Sequence, residues 1–67
     1  MWNLRVIRVK RHMSLQELAD RIGSTATEIS RWELGRVDPS LKNLRKLSEV
    51  LNCTIDEITE DTDERVS

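Results

Sequence analysis

Tyrosine and phenylalanine are absent from this chain of 67 residues; cysteine, proline and histidine occur once each and glycine twice. Each scarcity removes a class of molecule. One cysteine excludes an internal disulfide or a zinc site built from several thiolates, and a single histidine leaves the metal-ligand inventory nearly empty. No metal or other cofactor is therefore expected, and the expected setting is cytoplasmic. No apolar run nears the ~18 residues that span a bilayer. The opening stretch MWNLRVIRVKRH interleaves its charges instead of placing them before an apolar block, so neither a signal peptide nor an anchor is expected. At this length only ~60% of the unfolded surface is buried on folding, which leaves no room for a large substrate cavity.

What the chain does have is charge: 34% of its residues, with 11 Lys/Arg against 12 Asp/Glu, beside 37% hydrophobic residues. That is too apolar and too balanced for a disordered polymer. The net charge of -1 hides a division. Residues 1–48 carry ten Lys/Arg against five acids, net +5, whereas residues 49–67 carry seven acids against Arg65, net -6. A basic body with an acidic end suits a polyanion partner, and solvated helical faces are the plainer account of the same counts. Residues 1–60 are expected to form one domain and residues 61–67 an acidic tail.

Apolar residues recur at three and four along the chain, so the expected fold class is all-α. Helix starts are marked by the capping box, in which a Ser/Thr hydroxyl accepts from the N–H three residues on and a Glu there reaches back to the cap N–H. It occurs as Ser14-Leu-Gln-Glu17, Thr25-Ala-Thr-Glu28 and Thr54-Ile-Asp-Glu57. Ser40 after Pro39 is a fourth start, with Asn43 where a Glu would complete the box. The first helix should run from Trp2 or Asn3 to Arg11 with Leu4 and Ile7 inward, and the second from Leu15 to Ile22, stopped by Gly23. The third, Ala26 to Leu34, points Ile29 and Trp32 inward and stops at Gly35. The fourth, Leu41 to Leu51, carries Leu41, Leu44, Leu47 and Leu51 at spacings of three, three and four, and the fifth, Ile55 to Glu60, buries Ile55 and Ile58. Cys53 reads as a small buried hydrophobe, since the one histidine, His12, lies far off in the first turn.

The second and third helices are joined by so few residues that they must cross steeply, as in a helix-turn-helix. A small residue is needed at the crossing, and Ala19 stands there; the turn needs a residue tolerant of positive φ, and Gly23 supplies it. With these features the chain resembles the lambda-repressor-like helix-turn-helix family of phage repressors, Cro proteins and small bacterial regulators. The resemblance covers about residues 3–59. It rests on Ser14-Leu-Gln-Glu-Leu-Ala19, Gly23, Ile29-Ser-Arg-Trp-Glu33, Gly35, Pro39-Ser-Leu41 and Leu51-Asn-Cys-Thr-Ile-Asp-Glu-Ile58. It implies a compact four- or five-helix fold whose third helix enters the DNA major groove, usually as a homodimer on a near-palindromic operator.

With Ile29 and Trp32 inward, the third helix presents Ala26, Thr27, Glu28, Ser30 and Arg31 to base edges. Arg31 suits direct readout, because its fork matches O6 and N7 of guanine, a contact worth ~1–3 kcal/mol of discrimination; a phosphate contact is the alternative. Thr27 offers a hydroxyl or a methyl, and Ala26 a methyl contact to thymine. Glu28 either accepts from cytosine N4 or completes the Thr25 box, the box being preferred. Phosphate contacts are expected from Ser14 and Gln16 at the start of the second helix, where free amides meet the positive end of a dipole, and from Arg36, Lys42 and Asn43 on the other flank. The glutamine that commonly opens the second helix in the family is replaced here by Leu15, with Gln16 next. The resemblance further implies a partly buried ion pair between Arg8 and Glu33, a DNA contact being the other reading of Arg8. Arg5, Lys10, Arg11, Arg45 and Lys46 read as solvated faces.

For pairing of two copies, Val50, Leu51, Ile55 and Ile58 are the expected patch, with core closure as the competing role of the last three. Val6, Val9 and Val37 look exposed and are the alternatives. No acid–base pair and no nucleophile with its base is visible, so no enzyme is expected. The expected function is a sequence-specific double-stranded DNA-binding transcriptional regulator, a repressor. Two alternatives share the fold: an antitoxin-type module that also binds a toxin through its fifth helix or tail, and a protein-interaction module that has lost DNA binding.

Overall fold

A helix can begin only where its first free amides find acceptors. The computed structural model describes residues 2–60, and every element among them is an α-helix: α1 (Leu4–Lys10), α2 (Leu15–Ile22), α3 (Ala26–Glu33), α4 (Leu41–Leu51) and α5 (Ile55–Thr59). The acidic tail expected at residues 61–67 lies outside the described residues. Ser14, Thr25, Ser40 and Thr54 each hold extended backbone, and each side chain accepts from the N–H three residues on. The box is complete in α2 and α5, where the Glu17 and Glu57 carboxylates accept from the Ser14 and Thr54 N–H groups at 2.9 and 3.0 Å. In α3 only the hydroxyl half forms, and Glu28 does not reach back as expected.

The turn between α2 and α3 is three residues, Gly23 to Thr25. Gly23 sits at φ 73°, and the N–H groups of Gly23 and Ser24 both donate to the Ala19 carbonyl. A Cβ added at Gly23 would meet nothing within 4 Å, so the backbone angle alone, and not crowding, calls for glycine there. His12 and Asn52 also take positive φ, at 57° and 52°, ending the segments before α2 and α5.

One core joins all five helices: Leu4 and Ile7 from α1, Leu18, Ala19 and Ile22 from α2, Ile29 and Trp32 from α3, Leu47 and Leu51 from α4, and Ile58 from α5. Helix α2 packs on α3 and α4, α4 on α5, and α1 on both α3 and α5. Met13, Leu15, Leu44, Val50 and Cys53 pack against this core partly buried. The row of leucines in α4 is shorter than its spacing predicts. At ~100° per residue, two steps of three carry Leu41 about 120° from Leu47, and Leu41 is 57% exposed while Leu44 is half-buried. Ile55 is likewise only half-buried, and Cys53 keeps partial exposure.

Two cations expected on solvated faces are turned to helix ends. Arg11 Nε donates to the Leu51 carbonyl at 2.9 Å, and Lys46 Nζ to the Ile22 carbonyl at 3.4 Å. Both acceptors are last-turn carbonyls that no N–H within their own helix can reach, and both lie at the negative end of a helix dipole. No helix among the described residues is long and apolar enough to cross a membrane.

Candidate nucleic-acid interface

Helix α3 is held from behind. Ile29 is fully buried, Trp32 is 2% exposed and Glu33 6%. Glu33 is tolerated there because Arg8 meets it: Arg8 Nε donates to Oε2 at 2.7 Å and Nη2 to Oε1 at 3.3 Å, while Nη1 donates to the Met13 carbonyl at 2.7 Å. The two side chains retain 12% and 8% exposure. This forked contact ties the carboxyl end of α3 to α1 and to the turn that leads into α2. A charge-assisted, two-pronged bond of this kind fixes orientation as well as distance.

With its back fixed, α3 turns a polar face outward. Thr27 and Arg31 are exposed, and Ala26, Glu28 and Ser30 are half-buried. Glu28, released from the cap, stands 3.8 Å from Arg31 Nη1, one helical turn away, and both side chains remain open to solvent. Leu34, just past the end of α3, is 56% exposed on the same face. A shallow groove runs along it. Ala26, Thr27, Ser30, Arg31 and Leu34 form one wall, and Leu15 and Arg36 close it.

The expected phosphate contacts are less uniform. Arg36 lines this groove, and Ser14 caps the adjoining end of α2. Gln16 is engaged elsewhere: its side-chain nitrogen donates to Asp20 Oδ1 at 2.8 Å within α2. Lys42 is exposed and Asn43 half-buried on the first turn of α4. Of the four residues named for pairing, Leu51 and Ile58 are fully enclosed in the core and offer nothing to a second molecule; Val50 and Ile55 keep partial exposure. Leu34 was not singled out by sequence. Its signal was a spacing of seven from Thr27, which returns it to the same face.

The acceptor positions in the two complete boxes hold Glu17 and Glu57 below the ordinary glutamate range, through the Ser14 and Thr54 backbone N–H first and their hydroxyls second. Burial pushes the Cys53 thiol up, Glu57 adds to the effect, and Arg11 opposes it. That is the opposite of an activated thiolate. No group of His, Cys, Asp and Glu is arranged to hold a metal ion among the described residues.

A helix-turn-helix family profile matches residues 4–58. The chain is 36% identical over 53 residues to the SPbeta prophage-derived uncharacterized HTH-type transcriptional regulator YonR of Bacillus subtilis (strain 168), covering 79% of this chain and 49% of that protein. It is 31% identical over 55 residues to the HTH-type transcriptional activator BcrR of Enterococcus faecalis, covering 82% of this chain and 27% of that one. The chain thus spans between about a quarter and a half of the length of these curated relatives. Its fold is similar to that of the P22 c2 repressor in complex with synthetic operator 9T, with a TM-score of 0.82 and 29% identity over 87% of this chain and 88% of that one. It is also similar to the hypothetical transcription factor NHTF from Neisseria, with a TM-score of 0.79 and 30% identity over 96% and 74%.

Proposed function

The chain belongs to the helix-turn-helix family, and from that premise we propose that it is a sequence-specific double-stranded DNA-binding transcriptional regulator, a cytoplasmic repressor that works by occupying its operator. The observation that carries this reading is the orientation of α3. Its apolar side is locked by Ile29 and Trp32, and Thr27 and Arg31 stand free on the other. An α-helix presented in that manner fits the major groove, where each base pair shows a distinct set of donors and acceptors. The likeness to a repressor whose structure contains an operator supports it. Arg31 is assigned to a guanine, Thr27 and Ala26 to neighbouring bases, and Arg36, Lys42 and the amino end of α2 at Ser14 to phosphates.

Two copies would bind an inverted repeat, with their third helices ~34 Å apart on one face of the duplex. Val50 and Ile55, the accessible members of the expected patch, are assigned to that contact. Selection of sites from a pool of random duplexes tests the whole reading. The expected result is an enriched inverted repeat bound more weakly as salt rises. Arg31→Ala should then relax one base position in each half by ~1–3 kcal/mol, with the fold intact by circular dichroism. A pool that yields no enriched sequence overturns the function, and a repeat left equally sharp by Arg31→Ala overturns the assignment of Arg31.

A further inference from the structure

The groove beside α3 has an apolar centre that the hydrogen-bonding residues do not explain. Thr27 lies three and four residues before Ser30 and Arg31, and Leu34 three and four after them, so the four share one helical face, and Leu34 leaves more than half of its surface in water. Across from it stands Leu15 at the first position of α2, partly buried against the core. Leu15, Ser30 and Leu34 also line a second depression, which continues toward Arg5, Arg8 and Glu33. The two leucines therefore lie where the depressions meet, with Arg31 and Arg36 on one side and exposed Arg5 on the other.

An apolar spot flanked by guanidinium groups is complementary to a surface that is apolar locally and anionic around it. In the major groove the only methyl on a base is the C5-methyl of thymine, and phosphates run on either side of it. Resting on the DNA-binding reading above, we propose that Leu15 and Leu34 form a receptor for a thymine methyl, so that the two leucines read a base by apolar contact beside the polar readout of Arg31. Arg5, on α1, then meets a phosphate at the far end of the same surface.

Deoxyuridine differs from thymidine only by that methyl. The test takes the duplex recovered by selection and replaces each thymine in turn by uracil, measuring the affinity of the full chain for each. One thymine in each half should weaken binding about fourfold when replaced, the worth of one methyl leaving an apolar contact. Leu34→Ala, at an exposed site, should bind the thymine and uracil duplexes equally at that position. Leu15→Met should keep the penalty and Leu15→Gln lose it, with circular dichroism showing all three folded. If the selected duplex binds but every uracil is tolerated, the inference fails and the proposed function stands. A penalty that persists in both Leu34→Ala and Leu15→Gln places the methyl elsewhere and overturns it as well. If no duplex is recovered at all, the function itself falls and the methyl receptor with it.

Discussion

Helices α2 and α3 are equal in length, eight residues each, begin on the same kind of hydroxyl cap, and bury three residues apiece, yet they treat their polar side chains in opposite ways. In α2 these groups satisfy one another: Glu17 closes the box on Ser14, and Gln16 bonds Asp20. In α3 the box stays half-formed: Thr27 and Arg31 face solvent, and half-buried Glu28 meets only Arg31, at 3.8 Å. The inward sides differ too, since α2 buries only apolar groups while α3 buries the Glu33 carboxylate on Arg8. A pair of helices with matched backbones can thus be divided into one that positions and one that presents. The division is made by which side chains already have partners.

The comparison breaks most severely if α3 loses its anchor. Trp32→Ala should destabilise the chain by about 4 kcal/mol, and because α2 packs on α3, the two helices should melt together in a urea titration. Separate transitions would show that they are less coupled than described. Next in size is Glu33→Ala, which strands the Arg8 guanidinium in a mostly enclosed site and should remove about 3 kcal/mol. The double change Arg8→Met with Glu33→Leu should recover much of that loss, as replacing both charges by apolar groups avoids the unpaired one.

The caps sharpen the contrast at a smaller scale. Ser14→Ala and Thr25→Ala should each remove about 1 kcal/mol at neutral pH. They should part company in acid. The Glu17 carboxyl is held below the ordinary glutamate range by Ser14, so its contribution is present at neutral pH and is lost as pH falls through the lowered folded-state pKa. Part of the Ser14→Ala effect should therefore vanish in that window, whereas the Thr25→Ala effect, which involves no closed carboxylate, should not; melting temperatures on both sides of it decide. The smallest change is Glu28→Gln. Its side chain is solvent-open and its ion pair with Arg31 long, so stability should stay within about 0.5 kcal/mol. Retention of duplex DNA should rise, because a negative charge leaves the presenting face; unchanged retention would mean that Glu28 does not face the duplex.

The helix starts were legible because capping is local: Ser14, Thr25, Ser40 and Thr54 stand a fixed three residues from the amides they accept from. The steep α2–α3 crossing was legible for a similar reason, since a three-residue turn with Gly23 leaves few paths. The pairing of Arg8 with Glu33 is of another kind. Nothing in a separation of 25 residues points to it, and only likeness to other chains did. What escaped depends on how helices are placed after they form. Arg11 finds the end of α4 across 40 residues, and Lys46 the end of α2 across 24. The leucine spacing of α4 starts at Leu41, yet the phase of that residue on the helix carries it outward. The choice open to Glu28, cap or Arg31, turns on a small rotation that composition does not set.

The engagement of Arg8, Arg11 and Lys46 by acceptors of the fold itself has a consequence for how strongly ions compete with a polyanion. Residues 1–48 contain ten Lys/Arg, and these three already donate to a carboxylate or a carbonyl, which leaves at most seven to meet phosphates. Each phosphate neutralised on duplex DNA releases condensed counterions and adds about 0.9 to the slope of log affinity against log salt concentration. A single copy of this chain should therefore show a shallower slope than its tally of cations implies, with the shortfall set by side chains that serve the ends of its own helices.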